Sequence, residues 1–276
     1  MSDPIATRHV AAVQFVRDAC RFALDSFSAR DFKVTAKDDA SPVTKTDRRA
    51  ERMLRDAIAA EFPQDAILGE EFGETPGSSG YRWVLDPIDG TRPFIHGAPL
   101  WGTLAAVLHE DRPVLGVCGV PGGELFELYH GRQSGEAGYV GGVFNSKGYP
   151  ARKFPTEAPR AAKLSEATVL YTQIDLFERL PLRKLLDTLV ERCRLVRGWG
   201  DCWGHMAVAD GRADLMIDPQ MNLWDAAALL PIVEASGACY RTLTNECRID
   251  QPSGTSLTPQ LENEFFTLVS ECGLTS

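Results

Sequence analysis

The chain has 276 residues, 44% of them hydrophobic and 24% charged, and a formal net charge of −9. That is enough for one large domain or two smaller ones with a sizeable core, so no stapling disulfide or structural metal is required. The acidic balance argues against a nucleic-acid polymer or an anionic membrane as partner, because both favour a basic face.

No run of about 18 apolar residues offers a membrane span. The start, Met1-Ser2-Asp3-Pro4, lacks the basic and apolar regions of a signal peptide, so a cytoplasmic protein is expected. The seven cysteines (Cys20, Cys118, Cys193, Cys202, Cys239, Cys247 and Cys272) include no C-x-x-C pair. An odd number at such spacing speaks against a disulfide framework or a thiolate zinc site. It predicts mostly buried free thiols.

From residue 5 to about 27, Ala12, Phe15, Val16, Ala19, Phe22 and Ala23 share one face at helical spacing. A polar stretch over 35–41 follows, and Ser41 to Thr46 reads as extended because Pro42 disfavours helix at the residue before it. A second helix is expected from about Arg48 to Phe62, with Met53, Leu54, Ala57 and Ile58 inward, Thr46 or Asp47 as cap, and Pro63 as stop. Ala66 to Gly69 reads as a short strand entering Glu70-Glu71, followed by a turn-rich loop over 75–80. Strand-like runs cover 83–85, 104–108, 114–120 and 124–129, with a hairpin signal at Gly122-Gly123. Short connections of this kind imply a largely antiparallel sheet.

The polar, proline-containing stretch over 145–163 divides the chain into halves over 1–150 and 151–276. Beyond it, elements alternate: a strand over 167–171, a helix from Leu176 to Glu191, a strand over 194–197 and a helix over 202–210. A strand over 213–217, a helix from Ala226 to Ser236, a short strand near Ala238 and a helix over 261–271 complete the series. Pro231 predicts a kink or a late start in the Ala226–Ser236 helix. Such alternation makes an α/β layer.

The chemistry concentrates in Trp83-Val84-Leu85-Asp86-Pro87-Ile88-Asp89-Gly90-Thr91, a buried strand ending in two carboxylates, a glycine and a hydroxyl. Asp86 and Asp89 beyond a strand end can share hard cations such as Mg²⁺, which take oxygen ligands and substrate phosphate. Asp-Pro and Asp-Gly are equally ordinary turn chemistry. Gly90-Thr91-Arg92-Pro93 reads as a helix start, where free backbone N–H groups hold anions; Thr91 could simply cap it. Glu70-Glu71 could be a solvated turn, and Asp47 and Asp225 could be helix caps.

Taken together, Thr44-Lys45-Thr46-Asp47, Gly69-Glu70-Glu71, Asp86 to Thr91 with Phe94, and Trp224-Asp225-Ala226-Ala227-Ala228 resemble the inositol monophosphatase family of Mg²⁺-dependent, lithium-sensitive phosphatases. Ile232-Val233-Glu234-Ala235-Ser236-Gly237 fits as well, so the match spans about residues 40 to 240. The resemblance implies a layered α/β/α/β/α fold, two or three Mg²⁺ ions per site, and a homodimer. It implies that Glu70, Asp86 and the Ile88 carbonyl hold one metal, that Asp86, Asp89 and Asp225 hold a second, and that a third lies near Glu70. Gly90 and Thr91 would contact phosphate, and Asp47 with Thr91 would orient or deprotonate the attacking water, Glu70 being counted with the catalytic set. The physics agrees: clustered carboxylates raise one another's pKa, divalent ions offset that charge, and a metal makes water a better nucleophile near neutral pH.

Within that family, Phe94 to Leu104, Gly200-Asp201-Cys202-Trp203-Gly204 and Leu230-Pro231-Ile232-Val233-Glu234 are most similar to the histidinol-phosphatase branch. This implies hydrolysis of L-histidinol phosphate in histidine biosynthesis. An ammonium and an imidazole beside the phosphate suit acids away from the metals, for which Asp201 and Asp218 are candidates. Trp101 or Trp203 could stack on the imidazole, or simply pack in the core; Asp201 could cap a helix; Arg197 is counted with the substrate contacts. Arg92-Pro93 and Cys118-Gly119-Val120-Pro121 depart from the branch's pattern. The alternatives are an inositol-1-monophosphatase or broad sugar or nucleotide phosphatase, and a non-catalytic metal- or phosphate-binding regulator. The intact set of Asp47, Glu70, Asp86, Asp89, Thr91 and Asp225 argues against the regulator.

Overall fold

The computed structural model describes residues 3–30, 34–36, 42–122, 125–134, 138–155 and 160–274. Parts of the polar stretches expected over 35–41 and 145–163, and Gly123 of the expected hairpin turn, lie outside these. In chain order the elements begin with α1 (Pro4–Ala29), β1 (Val34–Ala36), β2 (Pro42–Thr44), α2 (Lys45–Glu61), β3 (Ala66–Gly69), β4 (Gly73–Thr75) and β5 (Tyr81–Asp89). Then come α3 (Thr91–His96), β6 (Gly102–His109), β7 (Arg112–Gly122), β8 (Leu125–Gln133), β9 (Tyr139–Asn145), β10 (Pro150–Arg152), β11 (Thr168–Tyr171), α4 (Ile174–Arg179) and α5 (Arg183–Arg192). The chain closes with β12 (Leu195–Arg197), α6 (Asp201–Ala209), β13 (Leu215–Asp218), α7 (Leu223–Ala226), α8 (Leu229–Ala235), β14 (Cys239–Arg241), β15 (Gly254–Leu257) and α9 (Glu262–Glu271).

An eight-stranded sheet runs β10-β9-β8-β7-β6-β5-β3-β4, antiparallel except where β3 meets β5. A five-stranded sheet runs β12-β11-β13-β15-β14, parallel at β12-β11-β13 and antiparallel beyond. Side chains alternate across each strand, and the core follows that period. Trp83 and Leu85 of β5 join Ala105 and Val107 of β6 under α1 and α2, while Val84, Leu104 and Ala106 point to the other face. That second face shares a core with α6 and α8 and with Leu170 and Met216 of the smaller sheet. Val169, Leu215 and Ile217 point outward to α4, α5 and α9. The fold is therefore five layers, α/β/α/β/α, with α6, α7 and α8 between the sheets.

The middle layer is packed without side-chain spacers. A Cβ at Gly116 would lie 2.1 Å from the Ala228 carbonyl oxygen, and one at Gly131 would lie 2.0 Å from that of Pro231. The backbone of α8 thus rests directly on β7 and β8, and it carries α7 with Asp225 toward β5.

Several expectations change. The helix read from Leu176 to Glu191 is two, α4 and α5, because Pro181 interrupts the hydrogen-bond ladder between them. The Ala226–Ser236 helix is likewise split into α7 and α8. The cap of α2 is Thr44, not Thr46 or Asp47. All seven cysteines are free, but only Cys20, Cys118 and Cys202 are buried. Among the described residues no helix is long and apolar enough to cross a membrane.

Candidate metal centre and active site

Residues three apart on a strand point to opposite faces, so Asp86 and Asp89 need a local irregularity to cooperate. β5 supplies it: Asp86 pairs with Leu104 and Asp89 with Gly102, so three steps on one strand match two on the other. The extra residue is a bulge. Its Pro87 carbonyl accepts from the Thr103 hydroxyl at 2.9 Å, and Ile88 N–H donates to Asp86 Oδ1 at 3.0 Å. Carboxylate oxygens of Asp86, Asp89 and Asp225 then lie within 4.8 Å of one another and could hold a metal ion.

Each acid is tied to backbone. Asp225 is the third residue of α7, where Oδ2 accepts from Asn222 N–H at 2.6 Å in a capping box. The helix cap is therefore Asn222, and Asp225 keeps its other oxygen for the cluster. Asp89 Oδ2 accepts from Cys202 N–H at the start of α6.

Asp47 occupies the equivalent position in α2. Its Oδ2 accepts from the Thr44 N–H at 2.9 Å and from the Thr44 hydroxyl. Its Oδ1 faces the Thr91 hydroxyl at 3.3 Å, and that hydroxyl also lies 3.0 Å from the Ile88 carbonyl oxygen. Thr91 opens α3, but the cap is Gly90, which lies in the left-handed region at φ 83°. A Cβ at Gly90 would lie 2.7 Å from the Leu100 carbonyl oxygen and 3.2 Å from Asp201 Oδ2, so only glycine fits this turn.

Desolvation dominates the electrostatics. It pushes Asp86 well above its ordinary range, with Glu70, Asp89 and Asp225 adding repulsion. A hydrogen bond between Asp86 and Asp225 ties the two carboxyl groups together, raising the first and lowering the second. Desolvation pushes Asp89 and Asp225 each up to about 7, with mutual or neighbouring carboxylates adding to it. Asp47 is raised by burial and, less, by Glu71. Such a cluster binds a divalent cation only as protons leave.

Two further acids face this group. Asp218 ends β13 on the side of Met216, toward the middle layer, and burial lifts it to about 7. Asp201 opens α6 with a left-handed backbone at φ 54°. The cap of that helix is Gly200, not Asp201. Burial raises Asp201, and Asp89, Asp218 and Asp225 raise it further, while the Arg92 guanidinium opposes them.

One expected substrate contact lies in the core. Trp101 is fully buried, edge-on to Phe94 at 5.0 Å and tilted against Phe27 at 5.5 Å. Its indole has no open face for an imidazole and serves the core. Arg197 is exposed at the end of β12 and donates to the Val196 carbonyl at 2.8 Å. Trp203 is only partly buried, and the Arg212 guanidinium covers its ring at 5.0 Å. Thr44, Asn222 and Glu51 were not singled out from the sequence. The first two carry a readable signal, since Thr44-x-x-Asp47 and Asn222-x-x-Asp225 both have the spacing of a capping box.

An acid cluster that could hold a metal ion, beside a hydroxyl–carboxylate pair in a five-layered α/β/α/β/α fold, marks a phosphomonoester hydrolase. The chain belongs to the inositol monophosphatase family, whose model matches residues 6–271. It is 41% identical over 228 residues to a histidinol-phosphatase of Chlorobaculum parvum, covering 83% of each chain. It is 31% identical over 258 residues to an inositol-1-monophosphatase of Mycobacterium leprae, covering 87% of this chain and 84% of that one. In fold it is similar to the extragenic suppressor protein suhB of Bartonella henselae, at a TM-score of 0.83 and 22% identity, covering 96% of this chain and 99% of that one.

Proposed function

We propose that the chain is a Mg²⁺-dependent phosphomonoesterase that releases phosphate from L-histidinol phosphate. The observation that carries the substrate is the pair Asp201 and Asp218. They set two further carboxyl groups beside the metal triad without belonging to it, which suits an alcohol bearing cationic groups. The 41% identity to a histidinol-phosphatase supports the same reading.

In this reading Asp86, Asp89, Asp225, Glu70 and the Ile88 carbonyl hold two or three Mg²⁺ ions. When bound, they supply positive charge for the ester phosphate and acidify a water for attack on phosphorus. The chain's own groups do the rest. The side-chain-free turn at Gly90 lets phosphate approach the backbone at Gly90 and Thr91. Thr44 occupies one oxygen of Asp47, so the other is left to the Thr91 hydroxyl. A proton leaving the nucleophile at Thr91 Oγ1 has Asp47 Oδ1 as its acceptor. The half over 1–150 supplies most metal ligands, and the half over 151–276 supplies Asp225 and the acids near the alcohol. A homodimer in the cytoplasm belongs to the same reading.

The test is a panel of phosphate esters with Mg²⁺. Turnover of histidinol phosphate well above inositol phosphate and sugar phosphates is expected. Strong inositol phosphate turnover with none on histidinol phosphate replaces the substrate and keeps the chemistry. No release from any ester favours a regulator.

A further inference from the structure

The turn that delivers Glu70 and Glu71 is held by a side chain outside the acid cluster. Glu51 lies on α2 one turn beyond Asp47 and is fully buried. A carboxylate so placed must be paired and hydrogen-bonded. Glu51 Oε2 accepts from Glu71 N–H at 2.7 Å and Oε1 from Phe72 N–H at 3.3 Å. Arg55, one turn further along α2, donates through Nε to Oε1 at 2.7 Å. Its remaining nitrogens reach the Thr75 hydroxyl at 3.1 Å and the Gly73 carbonyl. One carboxylate and one guanidinium therefore bind the whole segment from 71 to 75 onto α2.

The neighbouring amide is tied the other way. Glu70 N–H donates to the Leu85 carbonyl at 3.2 Å, on the residue just before Asp86. Glu70 is thus fixed between the strand bearing Asp86 and the helix bearing Asp47. Gly69 makes room for this, because a Cβ there would lie 2.1 Å from Glu51 Oε1. The two acids delivered act on different partners: Glu70 on Asp86 and Asp89, Glu71 on Asp47.

We propose that Glu51 is a positioning residue which, braced by Arg55, sets where Glu70 and Glu71 present their carboxylates, and so governs divalent-cation affinity without touching cation or substrate. This rests on the metal-dependent reading above. Gln in place of Glu51 keeps the shape but turns one acceptor into a donor facing a buried N–H, and it removes the partner of Arg55.

Wild type, E51Q and R55Q are titrated with Mg²⁺ by calorimetry and assayed at saturating ester, with metal-free thermal unfolding measured alongside. E51Q is expected to weaken Mg²⁺ binding about 10- to 100-fold, the usual effect of losing a group that orients a ligand. The half-saturating Mg²⁺ should rise by the same factor, while kcat at saturating Mg²⁺ stays close to wild type. A merely structural Glu51 would lower the unfolding temperature and leave the Mg²⁺ isotherm unchanged; that result overturns the proposal. If E51Q does not fold, R55Q carries the test, where weaker Mg²⁺ binding supports the proposal and an unchanged isotherm overturns it. A wild type that binds no Mg²⁺ overturns the metal reading beneath it.

Discussion

The acids at the end of the eight-stranded sheet and those facing it from the smaller sheet are built differently. Asp86, Asp89, Asp225 and Asp47 each accept from a backbone N–H, on Ile88, Cys202, Asn222 and Thr44 respectively. Among the described residues the Asp201 side chain has no hydrogen bond, and Asp218 has a long one from Gln220 N–H at 3.4 Å with the Thr172 hydroxyl beside it. Backbone-tied carboxylates cannot turn away from one another, so they keep the geometry a metal needs. The loosely held pair can follow whatever cationic group lies between them. On the proposed function, the first region serves the reaction and the second the choice of alcohol.

Breaking the first region should cost the most. D86N removes the carboxylate central to the triad, and kcat/KM should fall on the order of 10³-fold for every phosphate ester, measured by phosphate release. A loss confined to one ester would show that Asp86 serves recognition instead. The second region predicts a smaller, selective effect. D201N should lower kcat/KM for a cationic ester about tenfold, roughly 1.4 kcal/mol, and leave a neutral sugar phosphate nearly unchanged. Equal losses on both would place Asp201 with the reaction.

The smallest effect is on stability. Asp89 and Asp225 stand at about 7 in the fold against an ordinary 3.8. A folded value above the unfolded one favours the folded state fully below about pH 4, and that contribution is lost as pH rises through about 7. The metal-free protein should therefore lose unfolding temperature steadily between pH 5 and 7, and saturating Mg²⁺ should flatten that slope. A flat metal-free profile would mean the acids are already neutralised by other means.

Asp86 and Asp89 were legible because their signal is local. Asp86 to Thr91 is contiguous, whereas Asp47 and Asp225 read as possible helix caps and join the site through the family resemblance; their true caps, Thr44 and Asn222, stand three residues earlier. The antiparallel sheet and the α/β half were legible from the change from hairpin-linked strands to alternating strands and helices, and the layering from the family resemblance. β9 was missed because Gly141-Gly142 hides its alternation, and β15 because Gly254-Thr255-Ser256 offers little apolar signal. Trp101 drew attention by its chemistry, but its surroundings of Phe27 and Phe94 exist only in the fold. Glu51 shows the same limit: an acid on the inward stripe with Leu54 and Ile58 gains meaning only when the turn at 71–72 meets it.

The contact of α8 on Gly116 and Gly131 has a consequence for how this protein can change over time. Where side chains separate a helix from a sheet, an altered residue is absorbed by its neighbours' rotamers. Here carbonyl oxygens lie where a methyl group would go, so nothing yields except the helix itself. Any added atom pushes Asp225 away from Asp86. These two glycines, without chemistry of their own, are therefore as intolerant of drift as the acids they keep in register.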